Sequence, residues 1–175
     1  MLTELEGYLQ RIQDLRDQVA GLIEGLPQEA LDWRPLPARD LEPGSEDVEG
    51  TTNSLAVLAA HIVGAERFWI GEVVGGRPSN RDREAEFTTS GLDVGDLTAL
   101  LEQAAAETSA VFAGLRPADL DGTQEARGRA VPVRWCLLHI VDHTALHLGH
   151  MQLTYQLWRG GQGVASPFWH ERLGT

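Results

Sequence analysis

Four histidines fall within twelve residues near the end of the chain, His139, His143, His147 and His150. Imidazole is a general acid or base near neutral pH and a frequent metal ligand, so the direction in which these side chains point decides their chemistry. On a helix, with His139 at zero and about 100° per residue, they lie near 0°, ~40°, ~80° and ~20°, a single face. Leu146 and Leu157 fall near ~340° and 0°, which predicts that the stripe faces a helical core. His61 is a second source of imidazole, with Val57, Leu58, Ala65 and Phe68 within about 60° of it on a helix of its own. One histidine from that helix and an i, i+4 pair from the later one would meet on a single ion, leaving a position open for water or substrate.

Plainer uses compete with this one. A single inward histidine is more often a hydrogen-bonded packing residue than a ligand, and an isolated H-x-x-x-H pair is weak evidence. Four on one inward face are harder to accommodate without a partner, because each buried and unpaired polar group costs on the order of a few kcal/mol. Asp142, near ~300°, is a candidate carboxylate behind a ligand or a solvated helix-edge acid. Glu66 and Glu72 are badly placed to share an ion with His61. Cys136 reads as a small core residue, and His170 falls outside the stripe. Trp33, Trp69, Trp135, Trp158 and Trp169 are expected to serve core packing or a dimer seam ahead of lining a pocket.

Four amphipathic helices would position these residues. Leu2, Leu5, Leu9, Ile12, Val19, Leu22 and Leu26 mark the first, over about residues 2–25. Residues 27–52 are rich in proline, glycine and acids and read as a long connection, mobile over Asp40–Glu49. Thr51, Thr52, Asn53 and Ser54 offer N-caps for a second helix running to Val74, where Gly75 and Gly76 stop it. Asp93, with Asp96 three residues on, opens a third that ends near Gly114. Pro132 starts the fourth and longest, closed by Gly160 and Gly161 after Trp158. No segment alternates with period two, so the expectation is an all-α four-helix bundle forming one domain over residues 1–175.

Composition narrows the function. Fourteen basic residues against 26 acidic ones give a net charge of -12, which disfavours nucleic acid and anionic membrane surfaces. Every basic residue is arginine, so lysine Schiff bases and Walker-type phosphate loops are excluded. The single cysteine excludes an intrachain disulfide framework. With neither a signal-peptide pattern nor an apolar run of membrane-spanning length, a cytoplasmic protein is expected.

The segments Leu26-Pro27-Gln28-Glu29-Ala30-Leu31-Asp32-Trp33-Arg34-Pro35, Asn53-Ser54-Leu55 leading to His61, Glu66-Arg67-Phe68-Trp69, and His139 to His150 together resemble the DinB-like (DinB/YfiT) family of metal-binding helical bundles. The resemblance spans nearly the whole chain and is most specific in the last segment. It implies an up-up-down-down four-helix bundle, a homodimer, and a nickel or zinc ion held by His61, His143 and His147. His139 and His150 are the substitutes if one of the three is wrong. Leu148 stands where the family often has arginine, and His150 where it often has glutamine. Some relatives are maleylpyruvate isomerases or transferases that use mycothiol or bacillithiol. The leading expectation is therefore a metal-dependent enzyme, such as a small-molecule thiol S-transferase or a hydrolase. The alternatives are a non-catalytic metal- or ligand-binding protein and a structural dimer whose histidines are merely packed.

Overall fold

The computed structural model describes residues 3–36, 52–163 and 171. Asp40–Glu49, Trp169 and His170 lie outside the described residues.

Capping side chains set where the helices begin. Thr3 and Glu6 form a reciprocal capping box ahead of α1 (Glu4–Ile23), satisfying donors that the first turn leaves open. A one-turn helix, α2 (Gln28–Asp32), follows in the first connection. Ser54 accepts from the Val57 N–H at the head of α3 (Leu55–Glu66). After α4 (Arg83–Phe87), Asp93 and Asp96 make the second capping box, for α5 (Val94–Phe112). The last helix, α6 (Val133–Trp158), starts immediately after Pro132. It is followed by Gly160 and Gly161 at φ of 66° and 98°, a left-handed backbone that glycine adopts without steric cost.

The helical path of α3 does not stop at Glu66. It continues through Arg67–Val74 as a π-helix, with the Gly75 N–H reaching back five residues to the Ile70 carbonyl at 2.9 Å. Such wide turns are rare and frequent at functional sites. Here the segment carries Phe68 and Trp69.

α1 and α3 each pack against both α5 and α6. Leu15, Val19 and Ile23 of α1 meet Leu55, Leu58 and Ile62 of α3, Leu97 and Leu101 of α5, and Leu148 and Met151 of α6 in one cluster. A second cluster, around Phe68, Ile70, Phe112, Leu137 and Ile140, surrounds the π-helical stretch. Fully burying an aliphatic or aromatic side chain of this size contributes about 1.5–3 kcal/mol. Between the clusters lies a buried polar joint. Arg16 of α1 donates to Glu66 of α3, which also accepts from the Thr108 hydroxyl of α5.

The chain is mostly helical as expected, with an addition the sequence reading lacks: β1 (Thr123–Ala126) and β2 (Arg129–Pro132) form an antiparallel hairpin just before α6. Arg127 and Gly128 at its tip both have positive φ, 51° and 76°, the requirement of a tight two-residue turn that matches strand twist. The strands are four residues long and mostly exposed, too short and too solvated to alternate visibly.

One expectation needs correction, and it concerns α6. Leu146 and Leu157 are 58% and 50% exposed, so they do not mark the core face. The buried set is Val133, Cys136, Leu137, Ile140, Thr144, Leu148, Met151, Thr154 and Tyr155, centred near ~120° on the scale used above. The histidine stripe runs along the border of that face. Among the described residues, no helix is long and apolar enough to cross a membrane.

Candidate metal centre

Because α3 packs directly on α6, His61 is carried up to the border stripe. Its Nε2 lies 3.1 Å from Nε2 of His143. The His61 ring centroid is 4.9 Å from those of both His143 and His147, which are 4.4 Å from each other. One ligand-capable nitrogen from each of the three falls within 4.8 Å of the others. Two nitrogens held about 2.0–2.1 Å from a tetrahedral zinc would be about 3.3 Å apart, close to the His61–His143 separation. The donor set therefore fits one borderline-soft divalent ion.

His61 is oriented from behind. Its Nδ1 contacts Glu86 Oε2 at 2.8 Å, so the carboxylate accepts the ring proton there and leaves the Nε2 lone pair facing the other imidazoles. Glu86 also accepts from Arg81, Nε to Oε1 at 2.6 Å and Nη2 to Oε2 at 2.8 Å. Burial opposes ionisation of Glu86, and the bonds from Arg81 and His61 outweigh it, holding the carboxyl below its ordinary range. Gly64 makes room for this arrangement. A Cβ there would stand 1.9 Å from Glu86 Oε1 and 2.6 Å from its Cδ, so any side chain at 64 would displace the carboxylate.

Burial and the neighbouring imidazoles disfavour charge on the other two rings, lowering His143 to about 2 and His147 to about 4. Both rings are thus neutral at physiological pH, the form in which an imidazole can ligate a metal. Their Nδ1 atoms are buried with no hydrogen-bond partner among the described residues. Orphaned buried nitrogens cost free energy, and on His143 it is the other ring nitrogen, Nε2, that faces His61.

The stripe does not act as one unit. His139 stacks on Trp135 at 4.7 Å, with planes 7° apart, and meets Trp69 edge to face. His150 is exposed, and its ring centroid lies 5.4 Å from that of His147. Neither belongs to the triad. Cys136 is fully buried, its thiol pushed up to about 11 by burial, in keeping with a core role. Asp142 is exposed and the carboxylate behind a ligand is Glu86 instead, a residue the sequence reading missed along with Arg81 and Gly64.

The triad separates two cavities. One, of about 870 Å³, is bounded by His61, His143, Phe68, Trp69, Trp135 and the β1–β2 hairpin. The other, of about 560 Å³, lies between His61, His143, His147, Phe87, Leu153 and Leu157. Trp69 and Trp135 therefore line a pocket, the use that the sequence reading places behind core packing or a dimer seam. An ion at the triad would be reachable from both sides.

Comparison with known proteins agrees with this architecture. A conserved protein from Enterococcus faecalis superposes with a TM-score of 0.71 at 11% identity, over 91% of this chain and 99% of that one. A DinB-like protein (YjoA) from Bacillus subtilis gives 0.63 at 18% identity, over 93% and 96%. No curated protein matches the sequence. Residues 11–151, which include all three converging histidines, match the model of the DinB superfamily, and the chain belongs to that superfamily.

Proposed function

We propose that this protein is a divalent-metal enzyme of small-molecule chemistry, with His61, His143 and His147 as the ligands of a single nickel or zinc ion. One observation carries the reading: three neutral imidazoles converge, one of them fixed by a buried carboxylate, at a point open to two cavities. When bound, the ion supplies Lewis acidity, which lowers the pKa of a coordinated water or thiol. The chain's own residues do the rest. Glu86 holds the His61 tautomer, Arg81 keeps Glu86 ionised, and the aromatic walls exclude bulk water. Two cavities meeting at one centre suit a reaction with two substrates, which favours a thiol S-transferase, with a thiol of the mycothiol or bacillithiol kind as one partner, over a hydrolase.

The same reading takes residues 1–175 as one four-helix-bundle domain in up-up-down-down order, supported by the mutual packing of α1, α3, α5 and α6. It also takes the active form as a cytoplasmic homodimer. The support for the dimer is an outward face of α6 bearing Trp135, Leu138, Leu146, Leu153 and Leu157, each 44–58% exposed, a patch that a two-fold contact would cover.

Metal analysis of untagged protein tests the centre. Wild type should carry one ion per chain, and alanine at His61, His143 or His147 should lower the content sharply. Full occupancy in the triple alanine variant would overturn the assignment.

A further inference from the structure

The charge of the larger cavity runs against the charge of the chain. Acids outnumber arginines by 26 to 14 overall, yet Arg81, Arg83, Arg127 and Arg129 all line this cavity and, among the described residues, no aspartate or glutamate does. Arg81 is committed to Glu86. Arg127, in the hairpin turn, and Arg129, just after it, form no ion pair among the described residues, although the charge of Arg127 is felt by the Glu72 carboxylate. Glu125, the hairpin's own acid, is not among the residues that line the cavity.

The residue at the turn is itself informative. A tight hairpin with positive φ at both central positions is best served by Asn-Gly or Asp-Gly. This one uses Arg127-Gly128, placing a side chain with Cβ at φ 51°, a conformation that few residues other than glycine, asparagine and aspartate adopt. The guanidinium it carries lies 5.3 Å from the centre of the Phe68 ring, over the cavity floor. A local preference set aside where a charge is thereby aimed into a cavity points to a binding role.

We infer that the hairpin arginines Arg127 and Arg129 recognise a carboxylate on a small organic substrate whose apolar body lies against the wall that Trp69 and Trp135 form by packing edge to face at 5.1 Å, and whose other end reaches the histidine centre. Arginine's planar fork matches a carboxylate bidentately, and the tryptophan walls suit a planar or aliphatic body. A singly charged carboxylate is favoured over a phosphate dianion because the field of the whole chain repels the second charge more strongly. This assignment rests on the reading of the triad as a substrate-facing metal centre, and it concerns the opposite end of the same cavity.

Calorimetric titration with a matched pair of probes, 1-naphthylacetate and its neutral amide 1-naphthylacetamide, tests it on the full chain in both metal-free and zinc-loaded form. Wild type should bind the acid at least tenfold more tightly than the amide in both forms, and R127Q/R129Q should lose that preference while binding the amide as wild type does. Both positions are exposed, and an unchanged thermal midpoint verifies that the variant is folded. Equal affinity for acid and amide in wild type, or a preference that survives in the double variant, overturns the inference. A preference that vanishes when zinc is removed overturns it too, because the carboxylate is then held by the ion. Wild-type protein that takes up no metal yet keeps an arginine-dependent preference sustains the inference and defeats the metal reading. Normal metal uptake without the preference does the reverse.

Discussion

Replacing Glu86 with glutamine isolates the residue that links the metal centre to its surroundings. The carboxylate accepts three hydrogen bonds, from His61 Nδ1 and from two nitrogens of Arg81. Glutamine offers one carbonyl and one amide NH2 in the same space. If the carbonyl keeps His61, the NH2 opposes the Arg81 Nε–H, donor against donor. If the amide flips, the NH2 faces His61 Nδ1, which must then accept, and the ring proton moves to Nε2, the atom that points at His143. Either outcome loosens the ring or gives it the wrong tautomer. Loss of such a supporting partner weakens metal affinity by about 10–100-fold, or ~1.4–2.7 kcal/mol. Competition against a chromophoric chelator, using protein first stripped of metal, measures this directly. Asp142→Asn, at an exposed acid on α6, is the control and should leave affinity unchanged. An E86Q protein with native circular dichroism and an affinity within about twofold of wild type would refute the argument that Glu86 sets the His61 tautomer.

Gly64→Ala should reproduce the E86Q defect through sterics alone, since the added methyl occupies the carboxylate's position, and wild-type affinity in that variant would show that Glu86 has another route to His61. Metal-free protein should lose stability as the pH falls. The unfolded chain takes up imidazole protons from about pH 6.5, whereas folded His147 resists until about 4 and His143 until about 2. Unfolded chains then bind more protons, so stability declines across that window, and thermal midpoints should fall more steeply with acid for wild type than for His147→Gln. Parallel curves would contradict this. Arg16→Met strands the buried Glu66 carboxylate and should cost about 3–5 kcal/mol by urea unfolding, a loss under 1 kcal/mol arguing that water reaches the pair. Light scattering should show a dimer that persists or tightens in high salt, because -12 per copy opposes association at long range. L146E/L153E should be monomeric, and a wild-type monomer at every salt concentration would exclude the α6 contact.

How much of this was legible in the sequence depends on how far apart the interacting residues lie. Capping pairs three residues apart, such as Asp93 and Asp96, act within one turn and were readable. The i, i+4 histidines of α6 were readable for the same reason. The direction they face was misjudged because α6 carries leucines on both sides, and Leu146 and Leu157 belong to the exposed set. An apolar neighbour identifies a core face only when the opposite face is polar. Glu86 reaches His61 across 25 residues, from a one-turn helix inside a charged connection. No periodicity signals such a contact. Gly64 carries no sequence signal either, because its purpose is fixed by a side chain arriving from elsewhere.

The β1–β2 hairpin has a consequence for how proteins of this design diversify. The converging histidines sit on two long helices locked into the core, where most changes are destabilising. The outer wall of the larger cavity comes instead from about ten mostly exposed residues, tethered to α6 by a 3.0 Å hydrogen bond from the Val133 N–H to the Gly122 carbonyl. Substitutions at 127 and 129 alter that wall without touching a helix. On the proposed roles, selectivity and reactivity reside in separate pieces of chain, and a lineage could exchange one compound for another by editing a single turn while the helices beneath stay as they are.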